Sequence, residues 1–129
     1  MTLDDALTIC ADRSITRGEI AQLCDATAAD IDAALDAIAI EVAHRYLRGN
    51  IPFLSADTLM NNLFSHAVMH SGLPSVFMRA YEAFDEGEYH HAGDAEGVDT
   101  EVAYTKPLLS ALISEGLSPN KSLERTRER

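Results

Sequence analysis

The passage Asp85-Glu-Gly-Glu-Tyr-His-His-Ala-Gly-Asp-Ala-Glu-Gly-Val-Asp99 is the most unusual in the chain. It gathers carboxylates, two histidines, a tyrosine and three glycines that permit tight turns, the composition of a loop that displays side chains to a partner. Paired carboxylates such as Glu86 and Glu88 suit acid–base chemistry, but nothing near them in sequence supplies a nucleophile or a substrate pocket. Serine and cysteine nucleophile motifs and phosphate-cradling glycine loops are absent from the chain. No register of the loop provides the alternating oxygens, central glycine and closing Glu that an EF-hand needs.

A second set is His66-Ala-Val-Met-His70, two imidazoles one helical turn apart, a spacing that serves as half of a metal site. Further ligands would have to come from His90, His91, Asp94 and Glu96, folded back from the loop. The same histidines continue the apolar stripe of Leu59 and Leu63 by steps of seven, which also fits an edge-of-core role. No Glu accompanies them in a His-Glu-x-x-His arrangement, so a metalloprotease would lack its general base. Cys10 and Cys24 form no Cys-x-x-Cys and sit among Ala, Ile and Leu, which predicts buried, unreactive thiols. Nothing in the sequence demands a cofactor.

The elements that must position these groups read as helices throughout, giving an all-α, single-domain bundle of five to six. The first spans about Leu3 to Asp12, with Asp4 and Asp5 suited to its N-terminus, and the second about Arg17 to Cys24. Thr27 is a candidate N-cap for the third, over residues 28–48, whose stripe is Ile31, Leu35, Ile38 and Val42. It closes with His44, Arg45 and Arg48, and with Gly49 just past its end. Ser55 or Asp57 could cap a fourth helix running to about His70. Pro74 then suits the first turn of a fifth, on which Phe77, Tyr81 and Phe84 form the densest aromatic stripe. In the last segment, Thr100 to about Glu115, Pro107 predicts a kink or a true start near Thr105 after an extended approach. Residues 1–116 are expected to form the helical domain, and 117–129 a mobile charged tail with no core to join.

A chain of 129 residues buries roughly two-thirds of its unfolded surface. With 21 acidic against 10 basic side chains its net charge is −11, which demotes nucleic-acid and anionic-membrane partners, both built on clustered Lys and Arg. No apolar run is long enough to span a bilayer and the N-terminus lacks a basic start, so a cytoplasmic protein is expected. The acids are unevenly placed: nine lie in residues 1–41 against two bases, and eight in residues 82–101 with no base. Two solvated faces would account for this, as would a surface made to meet a basic partner.

Two resemblances follow from these segments. Ile20, Ala21, Cys24, Ala26, Ile31 and Leu35 occupy the positions that a helix-turn-helix buries, so this segment resembles that motif. Its would-be recognition helix presents Asp30, Asp32 and Asp36 with no Arg or Lys, which would repel phosphates. The chain as a whole resembles the small acidic helical bacterial immunity proteins that inhibit colicin-type toxins. The similarity rests on Val42-Ala-His-Arg-Tyr-Leu-Arg-Gly49, on Phe77-Met-Arg-Ala-Tyr-Glu-Ala-Phe-Asp85 and on the acidic loop. It implies a non-enzymatic protein that covers a basic nuclease with carboxylates, using Asp85, Glu86, Glu88, Asp94 and Glu96 with Tyr89 as an aromatic anchor. Two other readings stand beside it, self-association through an apolar helix face near Phe77, Tyr81 and Phe84, and metal binding through His66 and His70.

Overall fold

In a computed structural model that describes residues 1–124, the chain winds around one central helix. The elements are α1 (Leu3–Asp12), α2 (Arg17–Thr27), α3 (Ile31–Leu47), α4 (Phe53–His66), α5 (Ser75–Glu86), α6 (Lys106–Ile113) and α7 (Pro119–Leu123). Single turns of π-helix, Ala67–Ser71 and Glu101–Thr105, extend α4 and lead into α6. The fold is all-α, as the periodicity predicts, with seven helices among the described residues rather than five or six.

The central element is α3. Every residue from Ala33 to Ile40 is buried, as are Val42, Ala43 and Tyr46. A helix apolar on all sides has no solvent face to offer and is enclosed by its neighbours. Accordingly α1, α2, α4, α5, α6 and α7 all touch α3. Alanine at 33, 34, 37, 39 and 43 keeps the surface of α3 low while favouring its helical backbone. Against it pack the fully buried Leu23, Leu63, Phe77, Phe84, Leu109 and Leu112.

One of the buried residues is an acid. Asp36 lies only 2% exposed, and its Oδ1 accepts a hydrogen bond of 2.7 Å from the Phe77 backbone N–H. Phe77 is in the first turn of α5, which begins after Pro74 and has no side-chain cap of its own. Asp36 therefore caps α5 from across the core, where a carboxylate meets unsatisfied N–H groups and the positive end of the helix dipole. This corrects the outward placement expected beside Asp30 and Asp32. Of the three only Asp32 is exposed, while Asp30 is the N-cap of α3 and accepts from the Ala33 N–H at 2.6 Å.

Other boundaries also differ from the sequence reading. Helix α2 runs on to Thr27, whose hydroxyl donates to the Leu23 carbonyl at 2.8 Å instead of capping α3. The helix-turn-helix template holds at Ile20, Cys24 and Leu35, but Ala21 and Ala26 are exposed and Ile31 is 42% exposed, with Leu23 and Ala29 buried in their place. Helix α4 starts at Phe53 behind Pro52, so Ser55 and Asp57 lie inside it. Gly49 follows α3 with φ of +78°, the left-handed turn that glycine accepts. Pro107 sits in the first turn of α6 as expected, but the approach is a π-turn closed by the Lys106 N–H on the Glu101 carbonyl, not an extended strand. The wider turn accommodates a ring that would collide with a carbonyl in an α-helix.

Beyond Gly116, where no core contact was expected, Leu117 packs on the core and α7 lies against α3 with Ser122 buried. Residues 125–129 of the expected tail lie outside the described residues. Among the described residues no helix is long and apolar enough to cross a membrane.

Replacing Asp36 by Ala strands the α5 N-terminus in the core and is expected to lower unfolding free energy by about 2–3 kcal/mol in urea titrations. Asp36→Asn, which keeps an acceptor, should cost no more than about half of that. Equal midpoints for Asp36→Ala and wild type would refute the capping role.

Candidate functional site

The two acidic regions are put to different uses. In the first, at least six of the nine acids are engaged. Asp5 and Glu19 close capping boxes with Thr2 and Thr16, and Asp30 and Asp36 cap α3 and α5. Asp4 and Glu41 both bind Arg45, and Arg13 grips Glu19 with two bonds of 2.8 and 2.7 Å. The Arg13 guanidinium holds the Glu19 carboxyl down at about 2. In the second region, residues 82–101, no Lys or Arg among the described residues pairs with any of the eight acids. Arg79 beside them is bound to Glu115 at 3.0 Å, and Lys106 lies over the Tyr46 ring.

Helix α5 buries Phe77, Ala80, Ala83 and Phe84 and turns Glu82 outward. The aromatic stripe read as a self-association face is thus core. Phe77 and Phe84 are fully buried and Tyr81 stacks on Phe64 with centroids 4.1 Å apart. At Gly87 the chain leaves α5 through a gap without room for a side chain. A Cβ there would lie 2.0 Å from Thr105 Oγ1 and 3.1 Å from the Phe53 ring. Three hydrogen bonds tie the ends of the loop to the core. Thr105 donates to the Ala83 carbonyl at 2.7 Å, Thr100 to the Gly87 carbonyl at 2.7 Å, and the Tyr46 hydroxyl to Glu101 Oε1 at 2.6 Å. Burial, then the Glu101 carboxylate, pushes the Tyr46 hydroxyl well above its ordinary value.

Between these ties the loop is organised by His91. Its ring lies 4.4 Å from that of Tyr89 and 4.1 Å from that of Tyr104. Its Nε2 is 2.9 Å from both the carboxylate and the carbonyl of Glu86, and its backbone N–H donates to Asp94 at 2.8 Å. Tyr104 donates its hydroxyl to the other Asp94 oxygen, which lowers the Asp94 carboxyl and raises the Tyr104 hydroxyl to about 12. Of the six residues expected to meet a partner, Glu86 and Asp94 therefore hold the loop's shape. Tyr89 is half-exposed on His91, Asp85 is half-buried, and Glu88 and Glu96 are exposed.

Glu88 also faces a residue that sequence reasoning missed. Asp57 on α4 is half-buried, and burial, followed by the charge and hydrogen bonding of Glu88 and the charge of Asp85, pushes its carboxyl up to about 7. Asn61 donates to it at 3.4 Å. Its one signal in the sequence was being the sole acid in residues 42–81.

The histidine pair is placed differently. His66 is buried with Nδ1 3.0 Å from the Ile15 carbonyl, and burial lowers its pKa, which favours the neutral ring. His70 is exposed, its ring 5.5 Å from that of His66. The loop's His90, His91, Asp94 and Glu96 do not complete a site with them, since no group of three His, Cys, Asp or Glu among the described residues is arranged to hold a metal ion. Cys10 and Cys24 are buried and not joined to each other, and burial raises the Cys10 thiol to about 11.

No family model, curated protein or solved structure matches the chain.

The Asp57 carboxyl, raised in the fold from 3.8 to about 7, stabilises the fold as the neutral acid, and that contribution is lost as pH rises through about 7. Thermal melts at pH 5.5 and 8 should show Asp57→Asn narrowing the difference between the two conditions relative to wild type. Gly87→Ala should destabilise by about 1–3 kcal/mol because the new Cβ would collide with the Thr105 hydroxyl, which is buried and bonded to the Ala83 carbonyl. A wild-type denaturation midpoint for that variant would show that the gap opens freely.

Proposed function

We propose that the protein works by binding, presenting the outer face of α5 and the loop after it to a basic protein partner in the cytoplasm. The observation that carries this reading is the run of eight carboxylates in residues 82–101 with no Lys or Arg pairing any of them among the described residues, spread over the end of α5 and a loop tied down at both ends. Uncompensated charge of one sign lowers self-stability and accelerates encounter with the opposite sign. A loop ordered before contact loses less entropy on binding. Glu82, Glu88 and Glu96 supply the accessible charge, Asp85 and Tyr89 the edge of the surface, and Glu86 with Asp94 keep it in shape. The resemblance to immunity proteins suggests as partner a toxin whose active site binds phosphates, with carboxylates taking their place.

The test is a native pull-down followed by binding measurements on the recovered protein. A basic partner should bind roughly tenfold more weakly as salt rises from about 50 to 300 mM, and weaker still to a Glu88→Lys, Glu96→Lys variant. Recovery of no basic protein, or binding indifferent to both salt and charge reversal, removes the reading.

A further inference from the structure

Beside the acidic loop, α5 and α6 enclose an open groove of about 490 Å³. Its apolar wall comes from Tyr104, Leu108 and Ala111, and its charged rim from Glu82 and Glu86, with Arg79 at one end. Leu109 and Leu112 direct α6 into the core, so Leu108, 47% exposed, and Ala111, also exposed, form an outward ridge one turn long that stays accessible among the described residues. Tyr104 is held against this wall by its bond to Asp94, so the groove and the loop are one construction.

We propose that this groove receives a helix of the basic partner, which seats an apolar side chain on Leu108, Ala111 and Tyr104 and places a Lys or Arg against Glu82 and Glu86. The inference rests on the proposed binding role and adds where the partner is anchored and what it must carry. Charge selects this occupant. Among the described residues the groove's one cation, Arg79, is paired with Glu115, which leaves the exposed Glu82 and the Glu86 carboxylate, shared with the His91 ring, as a rim that repels an acidic peptide. The same rim disfavours a second copy of this chain, whose net charge is −11. A groove between two helices with an apolar ridge suits a helix that offers anchors one turn apart. Buried apolar anchors beside charge supply affinity, whereas rim carboxylates alone supply mainly encounter rate.

The test uses two synthetic amphipathic peptides of equal positive charge, one of Leu and Lys and one of Ser and Lys, titrated into labelled protein and followed by amide chemical shifts. The Leu/Lys peptide should shift Ala83, Tyr104, Leu108 and Ala111 and bind about tenfold more tightly than the Ser/Lys peptide. Leu108→Ser should remove that difference, and Ala111→Lys, which sets a cation in the groove, should weaken the Leu/Lys peptide further. Both positions are exposed, and unchanged melting curves would confirm that the variants fold. Equal binding of the two peptides, with shifts confined to residues 88–99 and no effect of Leu108→Ser, would overturn the groove while leaving the acidic surface standing. No binding of either peptide would overturn both.

Discussion

A single buried carboxylate holds the arrangement of the bundle. Asp36 projects from the middle of α3 and accepts from the Phe77 backbone, which fixes where α5 begins and at what depth it lies on the central helix. An ionisable group in the core is unfavourable unless hydrogen-bonded, and an uncapped helix start in the core is equally unfavourable, so each removes the other's penalty. The register of α5 then follows, and with it the positions of Glu82, Asp85 and Glu86 along its outer face. The acidic surface at one end of α5 is in this sense aimed by an acid buried at the other.

The loop beyond α5 is built rather than merely displayed. Thr100, Thr105 and Tyr46 secure its ends, and His91 with Asp94 and Tyr104 gives it an interior. Several of its polar groups are spent on its own structure, which separates the carboxylates that maintain shape from those that face solvent. Placing Asp57 against Glu88 goes further, since the fold accepts a carboxyl whose ionisation it opposes. Such strain is compatible with a surface whose excess negative charge is relieved when a cationic partner arrives.

Much of the helical content was legible from local signals. The buried positions Leu35, Ile38 and Val42 of α3, the glycine past its end, the start of α1 near Leu3 and the role of Pro107 near the beginning of α6 all rest on interactions within a few residues. The site was legible in part: the loop's composition drew attention to it, and Glu88, Glu96 and Tyr89 are accessible. Sequence could not say that Glu86 and Asp94 are bonded within the loop, because their partners His91 and Tyr104 become neighbours only when the loop closes. The aromatic stripe of α5 suits a self-association face as well as a core in the sequence, since an apolar face does not reveal which surface covers it, and the fold buries its Phe77 and Phe84.

The amino-acid sequence by itself determined an all-helical chain, its strong acidic excess and the concentration of that excess in residues 82–101, because propensity, periodicity and charge are properties of single residues and their near neighbours. Tertiary structure alone decided that Asp36 lies in the core, that Gly87 must have no side chain, that Asp57 meets Glu88, and that α7 returns to α3. Each of these joins residues far apart in the chain, and long-range contacts are set by how helices fill shared space, which no local pattern encodes.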